Sequence, residues 1–215
     1  MNFGFGVLII LAYLLGSIPF GVIIAKAYGK DLCQIGSGNI GATNLSRALG
    51  KKWGYFCFCL DMLKGLLPMI AAARLLSKSP GGLEFFFWLA VGIAAVLGHI
   101  FSVYLGFRGG KGVATSFGVA LGLWPYYTIC ALIAFAVWVA VILIWRYISL
   151  ASIAASIAFP IALVAAVALY PGWDFANLWP LLIAAIAIPA MVIARHIKNI
   201  ERIMRGTESK VLSRS

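Results

Sequence analysis

Long apolar runs alternate with short polar ones along the whole chain. Six runs, near 4–26, 54–76, 84–106, 126–145, 149–170 and 177–197, approach the roughly 20 residues that a helix needs to cross a bilayer. Each reads as a membrane-spanning helix. The glycine-rich stretch 112–124 is shorter and lightly polar, and Trp124-Pro125 interrupts it before the next run. The polar segments between the runs fall at 34–52, 106–116 and 194–215. Ser79 to Gly82 (SPGG) and Tyr170 to Trp173 (YPGW) have the composition of tight turns. Trp88, Trp124, Tyr126, Tyr127, Tyr170, Trp173 and Trp179 gather near the ends of runs, as aromatic belts do at a membrane interface.

Charge decides the parity. Of 17 Lys and Arg residues, Lys64 lies inside a run, and Arg74 and Lys78 stand at and after the end of the second run. The other 14 fall on one side only if 112–124 crosses the bilayer; otherwise Arg146 and the basic tail change sides. Positive residues concentrate on the cytoplasmic face. The expectation is an all-α integral membrane protein of about seven transmembrane helices, a single polytopic domain over 1–215. Its N-terminus lies outside, its C-terminus in the cytoplasm, and all three polar stretches on the cytoplasmic face. A short crossing is tolerated where protein surrounds it.

Composition closes off other classes. At 63% hydrophobic and 11% charged, with mean hydropathy +1.03, the chain cannot be a soluble domain of this size. The net charge of +11 sits in short clusters beside apolar runs, a pattern that serves topology and anionic lipid rather than nucleic acid. The N-terminal run lacks a basic leader and is too long for a signal peptide, so it reads as a retained first span. Cys33, Cys57, Cys59 and Cys130 have neither CxxC spacing nor a histidine partner, so no disulfide framework, metal or cofactor is expected.

Three stretches need more than a bilayer to explain them. Residues 36–44 read GSGNIGATN, with Arg47 three positions beyond. Main-chain N–H groups from Gly36, Gly38 and Gly41, the Ser37 and Thr43 hydroxyls, the Asn39 and Asn44 amides and the Arg47 guanidinium form an inventory for holding an anion, best a phosphate. Residues 106–116 read GFRGGKGVATS. There Gly109, Gly110 and Gly112 let the backbone approach an oxyanion, Lys111 supplies a point charge, and Thr115 and Ser116 add hydroxyls. A helix starting here would aim its positive end at the ligand. In 194–210, His196 and Asn199 are three apart and share one helical face, flanked by Arg195 and Arg202.

Polar residues inside runs read as structural. Asp61 and Lys64, at i and i+3, can neutralise each other. His99 reads as a packed or hydrogen-bonded histidine, and Ser149 and Ser152 as helix-contact residues. No HxxxxD, GxSxG or HExxH signature is present, and no lone carboxylate is placed as a general base.

Five ordered segments together resemble the bacterial acyl-phosphate:glycerol-3-phosphate acyltransferases. They are AYLLGSIPFG (12–21), GSGNIGATNLSRALGKK (36–52), DMLKG (61–65), GHIFSVYLGFRGGKGVATS (98–116) and RHIKNIERIMRGTESK (195–210). The departures are Ile40 and Ser102, where the family commonly has proline, and Arg108, where lysine is frequent. The resemblance implies transfer of an acyl group from acyl phosphate to the 1-hydroxyl of glycerol 3-phosphate, giving lysophosphatidic acid and inorganic phosphate. It implies Ser37, Arg47, Lys111, His196 and Asn199 as functional residues, Gly109 to Gly112 as a phosphate loop, and Glu208 as a structural glutamate. A multi-pass protein of the bacterial inner membrane is expected, a monomer working beside membrane lipid and without nucleic acid. The proton acceptor stays open between His196 and a substrate phosphate. A transporter of a phosphorylated solute and a lipid-binding scaffold are the competing classes; the first needs anion sites near mid-membrane, and the second leaves the glycine loops unexplained.

Overall fold

The computed structural model describes residues 3–78, 80–170, 172–173 and 175–211, and every regular element among them is helical. Ser79 and Pro171, in the two turns read from composition, and Arg214 in the basic tail lie outside the described residues. The elements are α1 (Phe3–Ser17), α2 (Phe20–Ala27), α3 (Ala42–Leu49), α4 (Lys51–Ala73), α5 (Gly82–Ile100), a 3-10 turn at Val103–Leu105, α6 (Val113–Gly122), α7 (Thr128–Trp145), α8 (Ile148–Leu169), α9 (Phe175–Ala194) and α10 (Ile197–Met204).

Each of the six apolar runs becomes helix. Five stretches are long and apolar enough to cross a membrane: Phe3–Ala27, Lys51–Ala73, Gly82–Leu105, Thr128–Trp145 and Ile148–Leu169. A sixth follows if α9 and α10, bent by 54°, count as one. The outward faces suit lipid: Ile10, Leu143, Ile161 and Ile186 are each more than half exposed. The seventh candidate, α6, has only ten residues. At 1.5 Å per residue it is about 15 Å long, half of a hydrocarbon core of about 30 Å.

Contacts divide the chain into two compact units, residues 1–123 and 124–215. In the first, α1 packs on α5, and α6 packs on α4. Small residues permit the second approach: a Cβ on Gly118 would stand 2.0 Å from the Met62 carbonyl oxygen. Pro19 splits the first apolar run and leaves carbonyls at the end of α1 without helical donors. Side chains supply those donors, as a low-dielectric setting requires. Ser102 Oγ donates to Ser17 O at 2.6 Å and Lys64 Nζ to Ile18 O at 2.9 Å.

In the second unit α7 and α9 both pack on α8. Trp138 Nε1 donates to Ser152 Oγ at 3.3 Å, Ser152 Oγ to Ile148 O at 2.9 Å, and the Tyr127 hydroxyl to the Leu181 carbonyl. The main-chain N–H of Val211 reaches Arg146 O at 2.7 Å and ties the tail to the α7–α8 connection.

Candidate active site

The loop before α3 is held from below by apolar residues. Leu32 and Leu45, 1% and 0% exposed, bracket it and pack with Ile24, Ala25 and Cys57. Lys30 Nζ donates to Ala48 O at 2.6 Å, closing the other end of α3 with a cation where the helix dipole favours one. Gly41, in extended conformation, opens the helix.

The loop uses much of its own polar inventory. Asn44 is 1% exposed; its Nδ2 donates to Leu32 O at 3.0 Å and to Ile35 O at 2.9 Å. Its Oδ1 accepts the Ser37 N–H at 3.0 Å. Gly38 N donates to Ile35 O, Gly41 N to Asn39 Oδ1 at 2.9 Å and Asn44 N to Gly41 O. Both amide hydrogens of Asn44 are committed inward, so it braces the loop. The N–H groups of Gly38 and Gly41 are likewise spent within the loop. The outward-facing groups are the Ser37 side chain and Arg47, both exposed, with Thr43 half-buried in the first turn of α3. A Cβ on Gly36 would stand 3.8 Å from Arg47 Cδ, so the arginine stem runs beside the start of the loop.

The second stretch lies in the same unit. The 3-10 turn ends at Gly106 in left-handed conformation, φ 61°, and Gly112, φ 85°, opens α6. Between them the backbone folds onto the end of α5: Gly110 N donates to His99 O at 3.0 Å. A Cβ on Gly109 would stand 2.1 Å from His99 O, and one on Gly110 2.1 Å from His99 Nε2. No other residue fits at either position without moving backbone or a buried ring. Lys111 is half-buried and Arg108 exposed. Thr115 is fully buried, with its carbonyl 2.3 Å from where a Cβ on Gly65 of α4 would stand. Its place is the α4–α6 contact. The hydroxyls of Thr115 and Ser116 have no hydrogen-bond partner among the described residues.

The third stretch lies in the second unit. The helix breaks after Ala194, His196 caps α10, and the bend carries His196 and Asn199 inward, at 2% and 5% exposure. His196 Nδ1 lies 2.8 Å from Val192 O. A carbonyl only accepts, so Nδ1 carries the proton, and the lone pair of the neutral ring resides on Nε2. Glu208 gathers three donors: Asn199 Nδ2 at 2.6 Å and Ser149 Oγ at 2.8 Å on Oε1, and Arg202 Nε at 2.7 Å on Oε2. Burial pushes the Glu208 pKa up, but the hydrogen bonds from Arg202, Asn199 and Ser149 and the Arg202 charge outweigh it, and the net shift is below the usual carboxylate value.

Two cationic, small-donor clusters in one unit and a braced His–Asn pair in the other are a phosphate-handling inventory. Known proteins decide the family. The family model described as glycerol-3-phosphate acyltransferase matches residues 6–206. The chain belongs to the glycerol-3-phosphate acyltransferase family.

A glycerol-3-phosphate acyltransferase of Aquifex aeolicus is 47% identical over 204 residues, covering 94% of this chain and 97% of that protein. One from Geobacter sulfurreducens is 43% identical, covering 95% and 96%. A solved integral membrane glycerol 3-phosphate acyltransferase in its glycerol 3-phosphate form superposes with TM-score 0.84 at 45% identity, covering 97% of this chain and 96% of that one. The lysophosphatidic acid form gives TM-score 0.82 at 43% identity, covering 96% and 95%. Within this acyltransferase three residues take supporting roles beyond those expected from the sequence: Asn44 braces the first loop, Ser149 donates to Glu208 and Lys30 closes α3. Only for Lys30, a cation opposite a helix end, does local sequence offer a signal.

Proposed function

We propose that this chain moves an acyl group from acyl phosphate to the 1-hydroxyl of sn-glycerol 3-phosphate, releasing lysophosphatidic acid and inorganic phosphate. The hydroxyl oxygen attacks the acyl carbonyl carbon. An ester C–O bond forms, the carbonyl–phosphate C–O bond breaks, and phosphate departs with the electron pair. The hydroxyl proton passes to a substrate phosphate oxygen. That route suits a chain in which Asp61, Glu84 and Glu208 are engaged with Lys64, Ser77 and Arg202.

The observation that carries the reading is the glycine turn at the start of α6, with Lys111 inside it, in a chain matched nearly end to end by glycerol-3-phosphate acyltransferases. Solved relatives with glycerol 3-phosphate and lysophosphatidic acid support it. Lys111 and the glycine turn from Gly109 to Gly112 hold phosphate at the positive end of α6. Ser37 and Arg47 hold and neutralise a second phosphate, and His196 and Asn199 orient the acceptor. An acyl phosphate is already activated, so holding the substrates in register and stabilising the departing charge account for catalysis without a covalent intermediate.

The chain crosses the membrane seven times, N-terminus outside and C-terminus in the cytoplasm. This follows from the positive-inside rule, with α6 as a short crossing supported by its packing against α4. Its bacterial relatives support placement in the bacterial inner membrane. It works as a monomer. The deciding experiment gives purified protein in detergent both substrates and measures phosphate release and lysophosphatidic acid together. Equimolar release of the two is expected. No turnover, with uptake of a phosphorylated solute into reconstituted vesicles, would overturn the reading in favour of transport.

A further inference from the structure

Four polar side chains with no part in that reaction lie buried together in the first unit. Asp61 Oδ1 stands 2.8 Å from Lys64 Nζ and 3.7 Å from His99 Nδ1, and Oδ2 accepts from Cys57 Sγ at 3.6 Å. None of the four exceeds 5% exposure. Lys64 also serves the Ile18 carbonyl and lies 5.7 Å from the centroid of the Phe20 ring. Stability alone does not account for them. Well-packed apolar residues replace a buried ion pair at no loss, and in a bilayer the ions are dearer still.

What the cluster touches suggests its use. His99 presents Nδ1 to the Asp61 carboxylate and Nε2 to the glycine turn, where a Cβ on Gly110 would stand 2.1 Å from it. The His99 carbonyl receives the Gly110 N–H, and the same oxygen lies where a Cβ on Gly109 would press. The imidazole edge and the main chain of one residue therefore form the seat of Gly109 and Gly110. A carboxylate facing one ring nitrogen favours one orientation of the ring, and Lys64, 2.8 Å away, holds that carboxylate in place. Phosphate-binding backbone must be held within a fraction of an ångström, and a turn of glycines has no side chains of its own to hold it.

We propose that Asp61 and His99 are positioning residues of the acyltransferase: the carboxylate faces the imidazole, and His99 seats the glycine turn so that Lys111 meets the substrate phosphate. The inference rests on the reading of that turn as a phosphate site.

Calorimetric titration of detergent-solubilised enzyme with glycerol 3-phosphate tests it, alongside thermal melting. His99→Leu removes both ring nitrogens at similar volume, and His99→Gln returns a polar edge. Asp61→Asn with Lys64→Gln removes the carboxylate without stranding a charge and keeps an amide donor for the Ile18 carbonyl. His99→Leu and the double variant are each expected to weaken binding about tenfold, with His99→Gln recovering most of it and melting midpoints within a few degrees of wild type. A packing role would instead leave His99→Leu and His99→Gln equal in affinity. Wild-type affinity in His99→Leu, or losses that follow the melting temperature, would overturn the proposal, as would loss of cooperative melting in both His99→Leu and the double variant. Lys111→Ala separates the underlying reading: wild-type affinity there would mean that the turn does not hold the phosphate of glycerol 3-phosphate, whatever the His99 variants do.

Discussion

The side-chain oxygen of Asn44 accepts the main-chain N–H of Ser37 at 3.0 Å. Through that bond a buried residue of α3 holds the main chain of an exposed serine seven positions earlier. The Asn44 amide also satisfies the carbonyls of Leu32 and Ile35. Asn44→Ala would strand those carbonyls, at about 1–3 kcal/mol for each buried group left unsatisfied. A lower melting temperature and a large loss of kcat/KM are expected together. Asn44→Asp should be no better, because a carboxylate cannot donate to the two carbonyls.

Ser37→Ala and Arg47→Ala should separate activity from stability. Both side chains are exposed, so neither removal opens a cavity. Loss of roughly a hundredfold or more in kcat/KM is expected, the size typical of losing a group that stabilises developing charge. Unchanged thermal melting is the accompanying control.

Two glycines of the second stretch should differ sharply. Gly109→Ala places a methyl against the fixed carbonyl oxygens of His99 and Ile100, at 2.1 Å and 2.6 Å. Activity should be abolished and melting lowered. Gly106→Ala meets nothing within 4 Å and suffers only its left-handed φ of 61°. It should lose about 1 kcal/mol of stability and keep most activity.

Glu208 should show itself at acid pH. Its folded pKa lies below the ordinary value of 4.5, so its stabilising contribution is complete above that value and is lost as pH falls through the depressed one. Wild type should melt higher than Glu208→Gln at neutral pH, and the gap should close on acidification below 4.5. A gap that stays constant with pH would contradict the hydrogen-bonded carboxylate.

His196 offers a test of proton transfer. If a substrate phosphate takes the hydroxyl proton, His196→Gln lowers the rate but leaves its pH dependence near neutrality intact. Loss of that dependence would make the Nε2 lone pair of His196 the base.

Much of this architecture was legible in the chain. All six long apolar runs are helical, because a bilayer forces every backbone group in such a run to bond within it. The Asp61–Lys64 pair read from its i, i+3 spacing forms at 2.8 Å. Less visible was α3, eight residues inside what reads as polar loop, whose helix depends on Leu45 finding the pocket beside Leu32. The split between α1 and α2 at Pro19 was also hidden, because the apolar run continues straight through it.

The sequence by itself determined the solvent, the helices and the three polar stretches that carry the chemistry, since these follow from local composition and from the demand of lipid for a satisfied backbone. Which polar atoms remain for a substrate was decided only by tertiary structure. Asn44 turns inward, Thr115 is buried against α4, Ser149 reaches Glu208 from 59 residues away, and Asp61 meets His99 across two helices. A hydrogen bond is made or lost over a few tenths of an ångström. Residue type and spacing specify which groups can pair, and only the packing of helices distant in sequence brings particular atoms that close.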